Sequence, residues 1–289
     1  MLAINGFELE MSDFQFSLLV LASLLIAGGG YAINDYFDAK IDRVNKPKLV
    51  VLDRIIKRRT AMALHIFMTS IGFVVATYVS YDVGMWKMNT IFLFIVFALW
   101  FYSTNLKHIL LAGNIIIALL AALVPLIVGL FEIPLQNQAH PEIIKELGFS
   151  IFNIPAYWIL GYAGIFGVLT LIREITKDII DVRGDKAYGS NTLPIAIGIK
   201  STKTILISLY VVFSLVLLVI YTAFLSVHSN QIRAIVFTLV VGMVAQTAII
   251  FASKTKLRFK LSANLNNAFV ILVVISMYFL KMSIESYFS

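Results

Sequence analysis

Cysteine is absent from all 289 residues, which excludes a disulfide framework and a thiolate metal site. Charge is scarce as well. Asp, Glu, Lys and Arg make up 13% of the chain, about half the ~25% of soluble domains. With 60% hydrophobic residues and a mean hydropathy of +0.91, a soluble protein of this size would lack the polar surface to cover itself. The class that fits is an all-α polytopic membrane protein. A cleavable signal peptide is not visible, because residues 1–12 carry Glu8 and Glu10 instead of a basic n-region. There is no Ser-His-Asp set, P-loop, HExxH or GxGxxG fingerprint, and no linker or low-complexity segment. The net charge of +7 does not call for nucleic acid, since Lys and Arg flank membrane spans on the cytoplasmic side.

What is present is a series of apolar runs. They fall at about 14–34, 60–80, 88–105, 110–131, 154–172, 203–226, 232–252 and 264–282, each near the ~20 residues needed to cross ~30 Å of hydrocarbon. The alternating ten-residue strands of a membrane barrel are not seen. The expectation is therefore eight transmembrane helices in one domain spanning 1–289. Eight spans put residues 35–59, 106–109, 173–202 and 253–263 on one side, which with the basic residues at helix edges included holds 19 of the 23 Lys and Arg. That side is predicted to be cytoplasmic, with both termini outside. The protein is expected in the cell inner membrane. The loop 132–153, with Glu132, Glu142, Lys145 and Glu146, reads as a surface connection.

Against this greasy background two acidic stretches stand out. Asp35, Asp38 and Asp42 sit at i, i+3 and i+7, and Asp178, Asp181 and Asp185 repeat the spacing. On a helix each trio shares one face. The topology puts both trios on the same side of the membrane. Like charges this close repel, so something cationic must offset them. Oxygen-only ligands favour hard cations, and Mg²⁺ commonly takes one or two carboxylates, waters and substrate phosphates. Two carboxylate faces would then grip one diphosphate through bridging Mg²⁺, which would stabilise charge on the departing group. The plainer alternative is a set of solvated loop acids balanced by Lys40, Arg43, Lys177 and Arg183.

Arg173 and Lys177 lie one turn apart beside the second trio. Lys107 follows Tyr102 at the cytoplasmic end of the third span, where a very short inner loop holds it near the pocket mouth. Arg54, Lys57, Arg58 and Arg59 read instead as topology anchors that meet anionic lipid. Gly28-Gly29-Gly30 serves either close helix packing or open space for a substrate chain. Tyr31, Trp100, Phe101 and Tyr102 read as interfacial aromatics, or as π faces beside a cationic intermediate, with Tyr102 the first choice. His65 reads as a packed, hydrogen-bonded residue.

At these residues the chain resembles the UbiA superfamily of intramembrane prenyltransferases. The family pattern Asn-Asp-x-x-Asp-x-x-x-Asp matches Asn34, Asp35, Asp38 and Asp42 and continues through Arg43, Asn45, Lys46 and Pro47. The second motif matches Asp178, Asp181 and Asp185, within a run from Arg173-Glu174-Ile175 to Gly184-Asp185, Gly189 and Thr192-Leu193-Pro194. Tyr102-Ser103 through Leu106-Lys107 to Gly113-Asn114 resembles the family's Tyr/Lys element. The resemblance covers nearly the whole chain. It implies a helical bundle around a central cavity open to lipid, and Mg²⁺-dependent binding of a polyprenyl diphosphate. Ionisation would yield an allylic carbocation that a lipid or aromatic acceptor captures. Carried over by position, the six Asp residues are catalytic and bind metal. Asn34, Arg43, Tyr102, Lys107, Arg173 and Lys177 bind substrate.

The Arg-Glu-Ile-x-Lys-Asp run looks most like members that prenylate geranylgeranylglyceryl phosphate in ether-lipid synthesis. Quinone precursors (naphthoate or hydroxybenzoate) and tetrapyrroles are alternative acceptors. A cation-coupled transporter is the rival from another class, but it would place its ionisable residues near mid-membrane. A CDP-alcohol phosphotransferase would need a differently spaced acidic signature. Two departures stand out: Lys48-Leu49 follows Pro47 where the family often has Arg, and the family's usual nine helices include one before the first acidic helix. Residues 1–12 resemble the loop after that helix, so a truncated or misplaced start is expected.

Overall fold

The computed structural model describes residues 8–48, 50–148, 150, 152–225 and 230–288. The chain runs α1 (Asp13–Asn45), α2 (Arg58–Asp82), α3 (Asn89–Thr104), α4 (Ala112–Ala139), α5 (Pro141–Leu147), α6 (Asn153–Ala187), α7 (Leu193–Ala196), α8 (Gly198–Ile220), α9 (Asn230–Ala252) and α10 (Lys256–Phe288). Eight of these helices are long and apolar enough to cross a membrane, as the hydropathy pattern predicts. α5 and α7 are short connections. The spans fall where expected, but several helices overrun their apolar runs. α1 and α6 continue through residues read as loop, and α4 continues into the stretch read as a surface connection.

The overrun of α1 and α6 positions the site. α1 opens with a capping box: Gln15 N–H donates to the Ser12 hydroxyl at 3.2 Å, and Ser12 N–H donates to the Gln15 side-chain oxygen at 2.9 Å. From there α1 runs for 33 residues and α6 for 35. At 1.5 Å per residue both are about 50 Å long, well beyond ~30 Å of hydrocarbon. Their last turns emerge as helix, and the emerging turns carry the two acidic trios.

α1 packs closely on α2, and α4 on α6, while α8, α9 and α10 pack together against α6. Small residues let the first pair approach. A Cβ on Gly72 would stand 3.0 Å from the Ala22 carbonyl, and one on Gly29 would stand 3.2 Å from the His65 carbonyl. The His65 ring donates to the Gly29 carbonyl at 2.9 Å, so it is a packed residue as expected. In the other half of the bundle the apolar core around Leu169, Leu206, Tyr210 and Met243 is crossed by polar ties. Gln246 and Ser262 exchange hydrogen bonds of 2.9 and 2.7 Å, and Asn266 donates to the Leu169 carbonyl at 2.8 Å. Such ties orient helices where lipid gives no hydrophobic drive.

Glu132 departs from expectation. It lies within α4 and is only 7% exposed. Its carboxylate accepts the backbone N–H of Glu10 at 2.8 Å and of Met11 at 3.2 Å. Gln136 donates to the same carboxylate at 2.8 Å and to the Glu8 carbonyl at 2.7 Å. The segment before α1 is thus clasped onto α4, with Met11 buried among Leu19, Met85, Phe92 and Phe131. Glu132→Ala strands buried backbone donors, so it should destabilise by about 1–3 kcal/mol. Thermal unfolding in detergent, with Glu142→Ala as the exposed control, measures this.

Candidate active site

The two trios face each other across one opening, and a lysine joins them. Lys46, the residue that ends α1, places Nζ 3.0 Å from Asp181 Oδ2 and 3.7 Å from Asp42 Oδ1. Lys256, the first residue of α10, reaches Asp181 Oδ1 at 3.8 Å. Lys107 Nζ, almost fully buried, contacts Asp38 Oδ1 at 2.5 Å. Asn34 donates to the other Asp38 oxygen at 2.8 Å, and Asn114 donates to Asp178 Oδ2 at 2.8 Å. Each ammonium relieves the repulsion that neighbouring carboxylates would otherwise feel.

The backbone around this cluster is locked by Asn45. Its side-chain oxygen accepts the Gly184 N–H at 2.8 Å, and its carbonyl accepts Lys256 Nζ at 3.0 Å. A Cβ at Gly184 would collide with the Asn45 amide. That close approach brings the end of α1 against α6, and the start of α10 against both.

Beneath the acidic mouth lies a cavity of about 370 Å³ between α1, α3, α4 and α6. Its mouth end is lined by Tyr31, Asn34, Tyr102, Arg173, Glu174 and Lys177, and its far end by Ser23, Ile26, Phe92, Leu123, Val124 and Ile127. Ser23 to Asn34 is about 16 Å along α1 at 1.5 Å per residue. A narrow apolar slot headed by basic and polar groups suits a ligand with a charged head and a hydrocarbon tail. Glu174, 7% exposed, holds the two cations of this wall: Arg173 at 3.2 Å and Lys177 at 3.4 Å.

Most of the sequence candidates converge here. Asp38, Asp42, Asp178 and Asp181 take part in the polar network, with the exposed Asp35 and half-buried Asp185 on the same helical stretches. Asn34, Tyr102, Arg173 and Lys177 line the cavity mouth, and Lys107 stands against Asp38, the carboxylate that Asn34 also holds. Arg43 does not. It pairs with Asp53 at 2.6 Å, and Arg58 shares that carboxylate at 3.2 Å. Asp53 sits at φ 65° in the turn between α1 and α2. Gly28 and Gly29 serve helix packing, whereas Gly30 lines the cavity. Trp100 packs on His65 at 5.6 Å and on Phe37 at 6.2 Å, and Phe101 faces outward.

Sequence reasoning assigned no role to Asn45, Lys46, Asn114, Glu174 or Lys256. Lys46 had a local signal, because it lies four residues after Asp42 on a helix. Lys256 had none, since its partners are far away in sequence. As for a metal, the donors are the right kind, oxygen throughout. Among the described residues, however, no three carboxylates converge on one point. A cation here would need phosphate oxygens to complete its coordination, which is how Mg²⁺ is commonly held.

These features define a class: an integral, multi-pass, all-α membrane protein with a paired acidic site over an apolar slot. The UbiA prenyltransferase family profile matches residues 6–280, and the chain belongs to that family. It is 33% identical over 200 residues to a digeranylgeranylglyceryl phosphate synthase of Methanothrix thermoacetophila, covering 69% of this chain and 65% of that one. The corresponding protein of Sulfurisphaera tokodaii is 32% identical over 197 residues, 68% of this chain and 62% of that one. The chain thus spans just under two thirds of the length of these relatives. A solved structure described as giving insights into the biosynthesis of digeranylgeranylglyceryl phosphate synthase in membranes superposes with a TM-score of 0.60 at 20% identity. The match covers 92% of this chain and 85% of that one, which shows a shared fold.

Next to the site, the turn after α3 is tied down by His108. Its ring bonds the Ser190 hydroxyl at 2.7 Å, and its carbonyl accepts the Asn191 N–H at 2.9 Å. Burial, then Lys107, push the imidazole below its ordinary 6.5, with Asp38 opposing. A base whose folded value is depressed gives stability that is present above 6.5 and lost as pH falls below it. Wild type should therefore lose thermal stability on acidification below pH 6.5, and His108→Gln should lose less. Parallel melting curves above and below that pH would test it.

Proposed function

We propose that the chain transfers a prenyl group from a polyprenyl diphosphate to a membrane-associated acceptor, with geranylgeranylglyceryl phosphate as the favoured acceptor. The observation that carries this is the apolar slot headed by Asn34, Tyr102, Arg173, Glu174 and Lys177, with Asn34 hydrogen-bonded to Asp38 of the first trio. Mg²⁺ would be held between Asp35, Asp38, Asp42, Asp178, Asp181 and Asp185 and the diphosphate, where it would neutralise charge on the leaving group. Lys107, Arg173 and Lys177 orient the diphosphate at the cavity mouth. The slot takes the prenyl tail and excludes water from the reacting carbon. The carbon–oxygen bond to diphosphate breaks, the diphosphate keeps the electron pair, and the acceptor oxygen bonds the allylic carbon as it gives up its proton. Tyr102 presents its ring near that point and stabilises developing positive charge.

The glyceryl acceptor is supported by what the relatives in Methanothrix and Sulfurisphaera are called, together with the Arg173-to-Asp178 run. The excess of Lys and Arg on the mouth side supports a cytoplasmic opening. Purified protein with labelled prenyl diphosphates and a panel of glyceryl phosphate, aromatic acid and tetrapyrrole acceptors should give Mg²⁺-dependent product, most with the glyceryl acceptor. Absence of any metal-dependent transfer rejects the assignment. Asp38→Asn and Asp181→Asn should each lower turnover by about 10²-fold or more, since each removes preorganised electrostatic support. Near-normal rates in either well-folded variant would contradict a paired-motif site.

A further inference from the structure

The cations that hold the two trios together are the protein's own. Lys46 Nζ lies between Asp42 of the first motif and Asp181 of the second, at 3.7 and 3.0 Å. Its backbone N–H is fixed to the Asp42 carbonyl at 2.7 Å, so its stem starts from a set position. Lys256 approaches the other Asp181 oxygen at 3.8 Å. That oxygen is buried and accepts no hydrogen bond, in a residue only 7% exposed. Lys256 also opens α10, where a positive charge opposes the helix dipole. Helix stability does not explain a cation there, whereas its contacts with Asp181 and the Asn45 carbonyl do.

Resting on the reading above, we propose that Lys46 and Lys256 compete with divalent metal for Asp42 and Asp181, so that metal and diphosphate bind with positive coupling. A metal approaching alone must displace ammonium groups from the carboxylates they already pair with. A diphosphate supplies another anion. The lysines transfer to its oxygens, the carboxylates are released to the metal, and each ligand raises the affinity for the other. The lysines are thus positioning residues that act on the order of assembly. Both side chains are partly exposed, 26% for Lys46 and 41% for Lys256, so neutral replacements leave no buried hole.

The test uses the full chain in detergent and reads binding, with Mn²⁺ alone followed by its electron paramagnetic resonance, and radiolabelled inorganic pyrophosphate at saturating Mg²⁺. Lys46→Met and the double variant with Lys256→Met should bind Mn²⁺ alone about tenfold more tightly than wild type, and pyrophosphate about tenfold more weakly. Lys46→Arg, which keeps the charge, should stay near wild type in both. Unchanged or weaker Mn²⁺ binding in both Met variants overturns the competition and leaves the lysines merely structural. The acceptor assay is independent: a wild type with no transfer but the expected Mn²⁺ gain would sink the transferase reading and keep the competition.

Discussion

Six carboxylates gathered at one membrane surface repel, and the fold is arranged around containing that repulsion. Lys107 answers Asp38, Lys46 answers Asp42 and Asp181 together, and Asn114 satisfies Asp178. Each partner comes from a different part of the chain: the turn after α3, the end of α1 and the start of α4. The acidic mouth is therefore a junction as much as a site. Asn45 makes this explicit, because its one side chain and one carbonyl join α1 to α6 and to the start of α10.

The second constraint is length. A helix of about 20 residues would end inside the headgroups. α1 and α6 exceed that by more than three turns; the trios lie toward their C-terminal ends, and the same helices line the slot. The acidic trio and the apolar lining of the slot are carried by successive turns of one continuous helix in α1 and again in α6. The distance between the polar head of the slot and its apolar lining is thus set by helix geometry.

Much of this was legible before any coordinates. The i, i+3, i+7 spacing, the basic asymmetry and the eight apolar runs depend on composition and period, which local sequence carries. The positions of Tyr102, Lys107, Arg173 and Lys177 also followed, because they sit within a few residues of a span end. Three features were not legible, for physical reasons. Where a helix stops outside lipid depends on tertiary packing, so α1, α4 and α6 were read too short. Arg43 was drawn to Asp53 by a left-handed turn that no periodic pattern announces. Lys256 and Glu132 act through contacts across the whole fold, and a lone Lys or Glu near a span end looks like an ordinary anchor or loop residue.

Glu132 has a mechanical meaning. It ties the segment before α1 to α4 at the end of the bundle away from the acidic mouth. The two walls are thus joined at that end. At the mouth end Lys46 and Asn45 tie α1 to α6 in turn. The slot is therefore tied at both ends, which fixes the spacing of its walls.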